Sequence, residues 1–105
     1  MDKEEGLRFV KEFRRKLVNN FALKKLILFG SRARGDFRED SDFDLIVVSD
    51  EFGKCKKFGR LGRIRKYWGY EYSVDMICLT TKEFERWKDN RQTVIGLAVS
   101  EGVEI

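Results

Sequence analysis

The sequence predicts an α/β (α+β) domain in which helices pack on a small mixed sheet. Segments with the apolar spacing of a helix alternate along the chain with short runs of Leu, Ile and Val that are typical of strands. The chain has 105 residues, of which 42% are hydrophobic, and this suffices for one core but not for two. We therefore predict a single domain over residues 1–105.

The N-terminal half predicts two helices and two strands. Asp2 and Glu5 have the spacing of a capping box, and the apolar residues that follow repeat with helical spacing. The predicted elements are a helix over Lys3–Asn19, a strand over Leu26–Phe29, a short helix in the segment SRARG, and a strand over Asp42–Val48.

The C-terminal half predicts three further helices and two strands. Thr80 and Glu83 form a second capping-box pattern, which indicates the start of a helix, and Gly102 ends the last helix. The predicted elements are a helix over Lys56–Tyr67, a strand over Glu71–Leu79, a helix that carries Phe84 and Trp87, a helix over Gln92–Ser100, and a terminal strand over Val103–Ile105.

The segment Lys54–Lys66 carries an unusual concentration of positive charge. It contains seven basic residues and no acidic one, in a chain whose net charge is +4. Phe58, Leu61 and Ile64 interrupt the basic residues at a spacing of three, which predicts one buried stripe and a basic outer face. That face is interpreted either as a surface for an anionic partner or as a solvated helix face.

The residue types and segments that the chain lacks exclude several classes of site. The chain has no histidine, so a Ser/His/Asp triad and a Cys/His zinc finger are excluded. Cys55 and Cys78 are too few for a disulfide scaffold or a four-sulfur metal site, and we interpret them as spectator thiols. No apolar run approaches the roughly 20 residues that span a bilayer, and the N-terminus is charged. We therefore expect a cytoplasmic protein that does not bind membranes.

A Gly-Ser pair follows the first predicted strand. Gly30 allows the backbone to approach a ligand closely, and the Ser31 hydroxyl can donate a hydrogen bond to a phosphate oxygen. The Walker pattern GxxxxGK[ST] is absent, and a Gly-Ser turn after a strand is common in proteins without ligands. The pair alone therefore does not decide between a turn and a phosphate site.

Three carboxylates strengthen the case for a site. Asp42 and Asp44 are two residues apart in a predicted strand, so both project from one face, about 6.5 Å apart. Asp75 interrupts the apolar run YSVDMICL of the next strand, where a buried charge requires a partner or a metal. If the two strands are neighbours, the three carboxylates converge on a site for two Mg²⁺ ions, about 3.5 to 4 Å apart. Taken singly, Asp42 could instead belong to a turn and Asp75 could face water.

These residues match a known signature. Gly30-Ser31, ten intervening residues and Asp42-Phe43-Asp44 resemble the signature of the nucleotidyltransferase superfamily, which includes DNA polymerase beta. The fuller string GSRARGDFREDSDFDLIVV is similar to the minimal nucleotidyltransferases, small prokaryotic proteins that often serve as antitoxins to HEPN-domain toxins. The similarity in length and element order covers nearly the whole chain, which implies the nucleotidyltransferase fold.

The resemblance implies the roles of individual residues. Gly30 and Ser31 would hold the nucleoside triphosphate, Asp42 and Asp44 would bind Mg²⁺, and Asp75 would complete the metal site and take the proton of the attacking hydroxyl. Arg32 and Arg34 also fit the family pattern, and their roles stay open between contact with phosphate and pairing within the protein.

The resemblance also implies a reaction and a partner. The reaction is the transfer of AMP from ATP to a hydroxyl with release of pyrophosphate, and in antitoxin members the acceptor is a tyrosine of the HEPN toxin, whose ribonuclease activity is silenced. This would make the chain the antitoxin of a type VII toxin–antitoxin system.

Two alternatives to this reaction stay open. One is an antitoxin that only binds its toxin and has a vestigial nucleotide site. The other is an RNA-binding or RNA-modifying protein that uses the basic segment. Because that segment shows no evident exposed aromatic residues for base stacking, we favour an acidic protein face or solvent as its surroundings.

Overall fold

The computed structural model describes all residues, Met1–Ile105, and contains five α-helices around one four-stranded sheet. The elements are α1 (Lys3–Val18), β1 (Lys25–Phe29), α2 (Ser31–Arg34), β2 (Phe43–Val48), α3 (Arg60–Trp68), β3 (Val74–Leu79), α4 (Thr81–Trp87), α5 (Val94–Glu101) and β4 (Val103–Glu104). Two 3₁₀ turns, Asp50–Lys54 and Lys57–Gly59, connect β2 to α3. No helix combines the length and the apolar character that a membrane crossing requires.

The sheet is mixed, as predicted. Its strand order is β3-β2-β1-β4, in which β1 runs antiparallel to both β2 and β4, while β2 and β3 are parallel. The parallel pair is connected by α3, which packs over one face of the sheet. The end of β1 therefore lies beside the start of β2, which in turn lies beside the start of β3. This end of the sheet carries the candidate site described below.

Alternation along β2 divides the core into two parts. Phe43, Leu45 and Val47 point to the face covered by α1 and α3, where the larger apolar cluster lies. Ile46 and Val48 point to the opposite face, where only a small cluster packs under α4 and α5. Because side chains alternate along a strand, Asp44 shares the second, thinner layer with Ile46 and Val48.

The two predicted capping residues, Asp2 and Thr80, are confirmed with one difference in detail. The Asp2 carboxylate accepts a hydrogen bond from the amide of Glu5 at 2.8 Å, although the reciprocal bond from the Asp2 amide to the Glu5 carboxylate is not formed. Thr80 and Glu83 form the complete capping box of α4. These caps satisfy amides that the first turn leaves without helical partners.

The basic segment differs from its prediction. A 3₁₀ turn precedes α3, which begins at Arg60, and the buried stripe includes Ile64 but neither Phe58 nor Leu61. Phe58 is 86% exposed and Leu61 is 43% exposed. A spacing of three drifts by about 60° per step around a helix, so the residues at that spacing leave the buried face. Ile64 and Trp68, which are four apart, define that face instead.

One of the seven basic residues of this segment is part of the interior. The Arg60 guanidinium, 7% exposed, donates to the carbonyl of Cys78 at 3.1 Å and pairs with Glu83 at 2.6 Å. Hydrogen bonding to Arg60 lowers the pKa of Glu83 to about 2. Arg60 therefore ties the start of α3 to β3 and α4, and the surface charge comes from the other basic residues.

The predicted strand over Glu71–Leu79 begins three residues late, at Val74. The indole Nε1 of Trp68 donates to the carbonyl of Tyr72 at 2.7 Å, which holds the preceding residues in a turn. The ladder with β2 starts only after this turn, where the amide of Phe43 donates to the carbonyl of Ser73.

Candidate active site

Two of the predicted carboxylates lie at the end of the sheet where β2 and β3 begin. Asp44 and Asp75 are the second residues of β2 and β3 and are direct partners in the parallel register. Side chains of paired residues in neighbouring strands project to the same face, and the strands lie about 4.8 Å apart. The predicted strand began at Asp42, whereas β2 begins at Phe43, so Asp42 lies one residue before the strand. Its side chain is exposed. The structure therefore pairs Asp44 with Asp75 beside the end of β1, and Asp42 lies two residues before Asp44.

Asp75 is exposed, and β3 is an edge strand. Of the two alternatives that the sequence left open for Asp75, the structure shows exposure to water, because the run YSVDMICL faces the core only at some positions, such as Met76 and Leu79. Exposure leaves the carboxylate of Asp75 accessible to a substrate that approaches this edge.

Asp44 has the most constrained environment of the three aspartates. Burial raises the pKa of its carboxyl above the ordinary value, and the negative charges of Asp75 and Asp42 raise that pKa further. The nearby Arg34 guanidinium opposes the shift. Three like charges therefore share one electrostatic environment, which favours the binding of a cation.

Gly30 follows β1 directly and packs against the Asp44 carboxylate. Its φ is +73° and its ψ is −158°, a conformation that side-chain-bearing residues rarely adopt. A Cβ at this position would overlap the Oδ2 atom of Asp44 and lie 3.2 Å from its Cγ. Glycine is thus required both by the backbone conformation and by the contact with the Asp44 carboxylate.

Ser31 begins the short helix α2 directly after this contact. Its hydroxyl forms no hydrogen bond within the protein, whereas the carbonyl of Gly30 accepts the amides of Ala33 and Arg34 at 3.1 Å. The half-buried Ser31 side chain therefore remains free to donate to a ligand beside the carboxylates.

Arg32 makes the contacts of a residue that fixes the loop before β2. Its side chain is 3% exposed and donates to the carbonyl of Ser41 at 3.0 Å and to that of Glu39 at 3.2 Å. The guanidinium also lies over the rings of Phe37 and Phe43, 4.4 and 4.6 Å from their centroids. Since Ser41 immediately precedes Asp42, Arg32 positions the backbone of the first carboxylate. The sequence left Arg32 open between contact with phosphate and pairing within the protein. Its contacts are of the second kind.

Arg34 differs from Arg32 although it lies on the same turn. It is 47% exposed at its side chain and pairs with Asp36 at 3.3 Å and with Glu101 at 3.6 Å. Its charge also acts on Asp44. Arg34 is therefore a cation near the carboxylates. Because its ion pairs with Asp36 and Glu101 are exposed and weak, replacing them with a phosphate contact would cost little free energy.

Comparison with known proteins places this arrangement in a family. The family model described as a nucleotidyltransferase domain matches residues 9–99. The chain belongs to the nucleotidyltransferase domain family. The resemblance of the Gly-Ser and Asp-Phe-Asp motifs is thereby confirmed, and so is the predicted fold class.

Individual relatives of this nucleotidyltransferase domain agree with the assignment. Two Methanocaldococcus jannaschii proteins, both named "putative protein adenylyltransferase", are 49% identical over 43 residues and 31% identical over 72 residues. The matches cover 39% and 67% of this chain, and 43% and 73% of those relatives, so the first match spans less than half of that relative. A solved structure described as a putative nucleotidyltransferase from Sulfolobus solfataricus has a TM-score of 0.70 and 26% identity, with 97% of this chain and 80% of that chain covered.

Asp44 and Asp75 are the residues of the nucleotidyltransferase domain that could hold a divalent cation. Carboxylate oxygens are the ligands that Mg²⁺ prefers, and the mutual repulsion at Asp44 is relieved by a cation. The three carboxylates do not form a preformed ligand cluster. This is consistent with Mg²⁺, which usually retains waters and substrate phosphates in its coordination shell and needs few protein ligands.

Sequence reasoning missed the aromatic support of this site. Phe43 lies between the two aspartates in sequence, is fully buried, and contacts the guanidinium of Arg32 from the opposite face of β2. Its ring also packs edge-on against Trp68, with centroids 5.2 Å apart. The available signal was the alternation of Asp-Phe-Asp, because a residue between two same-face carboxylates must point into the core.

We expect replacement of Arg32 by Gln to lower the free energy of unfolding by about 2–3 kcal/mol, because the buried charged donor that holds the carbonyls of Glu39 and Ser41 is lost. Urea unfolding followed by circular dichroism measures this change. Arg34→Gln is the matched control on the same turn, and its effect should stay below about 1 kcal/mol because its ion pairs are exposed. Equal effects of the two substitutions would contradict the positioning role of Arg32.

Proposed function

We propose that this nucleotidyltransferase domain is a Mg²⁺-dependent protein adenylyltransferase that transfers AMP from ATP to a hydroxyl of a partner protein. The observation that carries the proposal is the convergence of Asp44 and Asp75, as register partners, with the Gly30 backbone pressed against the Asp44 carboxylate. The names of the two Methanocaldococcus jannaschii relatives support a protein acceptor.

Asp42, Asp44 and Asp75 would hold the metal, with two ions expected. Bound Mg²⁺ would neutralise the triphosphate and lower the pKa of the acceptor hydroxyl. The pKa of Asp44 is raised first by burial and then by the negative charges of Asp75 and Asp42, and a bound cation would offset both effects.

Residues at the end of β1 would bind the triphosphate. The free Ser31 hydroxyl is placed to donate to a phosphate oxygen, and the absence of a Cβ at Gly30 allows close approach of the chain. Arg34 contributes positive charge from the adjacent surface, whereas Arg32 maintains the loop that carries Asp42.

The transfer step is an in-line displacement at phosphorus. The acceptor oxygen forms a bond to the α-phosphorus while the bond from that phosphorus to the oxygen shared with the β-phosphate breaks. The leaving group is pyrophosphate, and the hydroxyl proton passes to a base. Because the chain has no histidine, we assign this role to Asp75, which is exposed beside Asp44.

The acceptor we propose is a tyrosine of a cognate HEPN-domain toxin, which makes this chain the antitoxin of the pair. The proposal rests on the resemblance to minimal nucleotidyltransferases and on the accessible edge at Asp75.

The decisive experiment is transfer of label to the proposed HEPN-domain acceptor protein. With ATP labelled at the α-phosphate and Mg²⁺, we expect one AMP per modified tyrosine, located by mass spectrometry, and an equal amount of pyrophosphate. ATP labelled at the γ-phosphate should transfer nothing. Toxin neutralisation that needs neither ATP nor Mg²⁺ would contradict the enzyme and establish the binding-only antitoxin.

A further inference from the structure

We propose that Glu101 is a positioning residue that competes with the triphosphate for the guanidinium of Arg34 and thereby weakens the binding of ATP. This inference rests on the proposed function, since it takes the anion bound beside Arg34 to be the triphosphate of the nucleotide. Glu101 is the last residue of α5 and Arg34 is the last residue of α2, so their contact joins two elements that are distant in sequence. Glu101 lies outside the Gly-Ser and Asp-Phe-Asp motifs.

The pairing of β4 with β1 places Glu101 at the site end of the sheet. The two strands are antiparallel, and their register aligns Leu28 with Val103. In an antiparallel pair, each step back along β4 corresponds to one step forward along β1. The backbone of Glu101, two residues before Val103, therefore lies beside the end of β1 that continues into Gly30.

Gly102 fixes the end of α5 against β1. A Cβ at Gly102 would lie 2.7 Å from the Cγ2 atom of Ile27 and 2.9 Å from the carbonyl oxygen of Leu28, so no side chain fits between this backbone and the strand. Glu101 is the residue directly before Gly102, and its backbone is therefore held by the same packing. The Glu101 carboxylate thus extends from a fixed part of the fold toward α2.

The ion pair between Glu101 and Arg34 is weak enough for a phosphate to replace it. The Nη1 atom of Arg34 lies 3.6 Å from the Oε2 atom of Glu101, which is too long for a hydrogen bond, and both side chains are nearly half exposed. The Nε atom of Arg34 pairs with Asp36 at 3.3 Å. Asp36 is two residues from Arg34 in the chain, whereas Glu101 belongs to a separate element that is packed on β1. Exposed ion pairs of this kind contribute little free energy.

The charges around Arg34 explain why Glu101 would oppose the nucleotide. Burial and the negative charges of Asp75 and Asp42 raise the pKa of Asp44, and the charge of Arg34 opposes this shift. Arg34 is therefore within electrostatic reach of the candidate metal ligands.

Two carboxylates, Asp36 and Glu101, pair with this one guanidinium, so its positive charge is already neutralised before an anion binds. Removal of the Glu101 charge would make Arg34 more attractive to a triphosphate.

Calorimetric titration of ATP into the full chain, with Mg²⁺ present, tests the proposal without an acceptor protein. We expect Glu101→Gln to lower the Kd for ATP about 2- to 5-fold, because one weak ion pair no longer competes with the phosphates. The same gain is expected with inorganic tripolyphosphate, which carries the negative charge but no nucleoside. In the background of Arg34→Gln, the substitution Glu101→Gln should leave the Kd unchanged, because Glu101 acts through Arg34.

Glu104→Gln is the matched charge control. Glu104 is in β4, and its carboxylate forms an exposed ion pair with Lys25 at 3.2 Å, at the end of β1 that is remote from Gly30. This variant removes the same charge as Glu101→Gln and should leave the Kd for ATP and for tripolyphosphate unchanged. Urea unfolding should give the same midpoint for Glu101→Gln and the wild type, because the lost ion pair is exposed.

Each outcome decides the proposal. An unchanged or higher Kd for ATP in Glu101→Gln would overturn it, and so would an equal gain in Glu104→Gln or a full gain in the Arg34→Gln background. A gain with ATP that is absent with tripolyphosphate would assign Glu101 to the nucleoside and would also overturn it.

The proposed transfer reaction is tested separately from the role of Glu101. If the wild type binds ATP but transfers no AMP to the proposed HEPN-domain acceptor, the enzyme is rejected, and the comparison of Kd values still decides the role of Glu101. If the wild type binds neither ATP nor tripolyphosphate, both proposals are rejected.

Discussion

Asp44→Asn is expected to reduce AMP transfer by about 100- to 1,000-fold while leaving the fold at least as stable as the wild type. The substitution removes a ligand charge but keeps the size of the side chain. Burial and the charges of Asp75 and Asp42 raise the pKa of Asp44, so its ionised form is unfavourable in the folded protein. Neutralising it without metal therefore relieves repulsion, and the loss of activity must come from the chemistry.

Initial rates of pyrophosphate release and urea unfolding at pH 7 measure the two effects of Asp44→Asn. Mg²⁺ together with ATP should raise the unfolding midpoint of the wild type and not that of the variant. Asp89→Asn is the control, because Asp89 is an exposed carboxylate in the turn after α4. Full activity of Asp44→Asn, or a loss explained by unfolding, would remove Asp44 from the proposed metal site.

Gly30→Ala is expected to be damaging in both stability and activity. The added Cβ meets the Asp44 carboxylate, and the positive φ of Gly30 strains any other residue by about 1–3 kcal/mol. A carboxylate displaced by about 1 Å loses its place in the site, so transfer should fall about 100-fold. The free energy of unfolding and the rate of transfer at saturating ATP measure the two losses.

Gly62→Ala is the matched control for Gly30→Ala. Gly62 lies in α3, and a Cβ there meets nothing within 4 Å, so alanine should stabilise the helix by about 0.5–1 kcal/mol. If Gly30→Ala behaved like Gly62→Ala, the close contact between Gly30 and the Asp44 carboxylate would have no functional role.

Several strands and helices of the fold were accessible from sequence because the signals are local. Apolar runs bounded by Gly30 and by polar turns predicted β1 and β2, and the capping pattern of Thr80 with Glu83 predicted α4. The sequence predicted that Asp44 and Asp75 converge if their strands are neighbours, and the register that pairs them comes from the structure. Short-range periodicity was sufficient for the predicted strands and helices.

Other features depend on contacts that periodicity does not encode. The exposure of Phe58 follows from a 3₁₀ turn before α3, which shifts it away from the face of Ile64. The role of Arg32 is decided by carbonyls seven and nine residues away in an irregular loop, and no spacing rule predicts such bonds. The exposure of Asp75 follows from the position of β3 at the sheet edge, which is a property of the strand order.

That edge position has a consequence for solubility. An open edge strand offers unpaired amides and carbonyls as a template on which the strand of another molecule can add. β3 carries the charge of Asp75 near its start, and the Arg60 guanidinium occupies the carbonyl of Cys78 near its end. Both features oppose strand addition, so the carboxylate assigned to proton transfer also disfavours aggregation through this edge of the sheet.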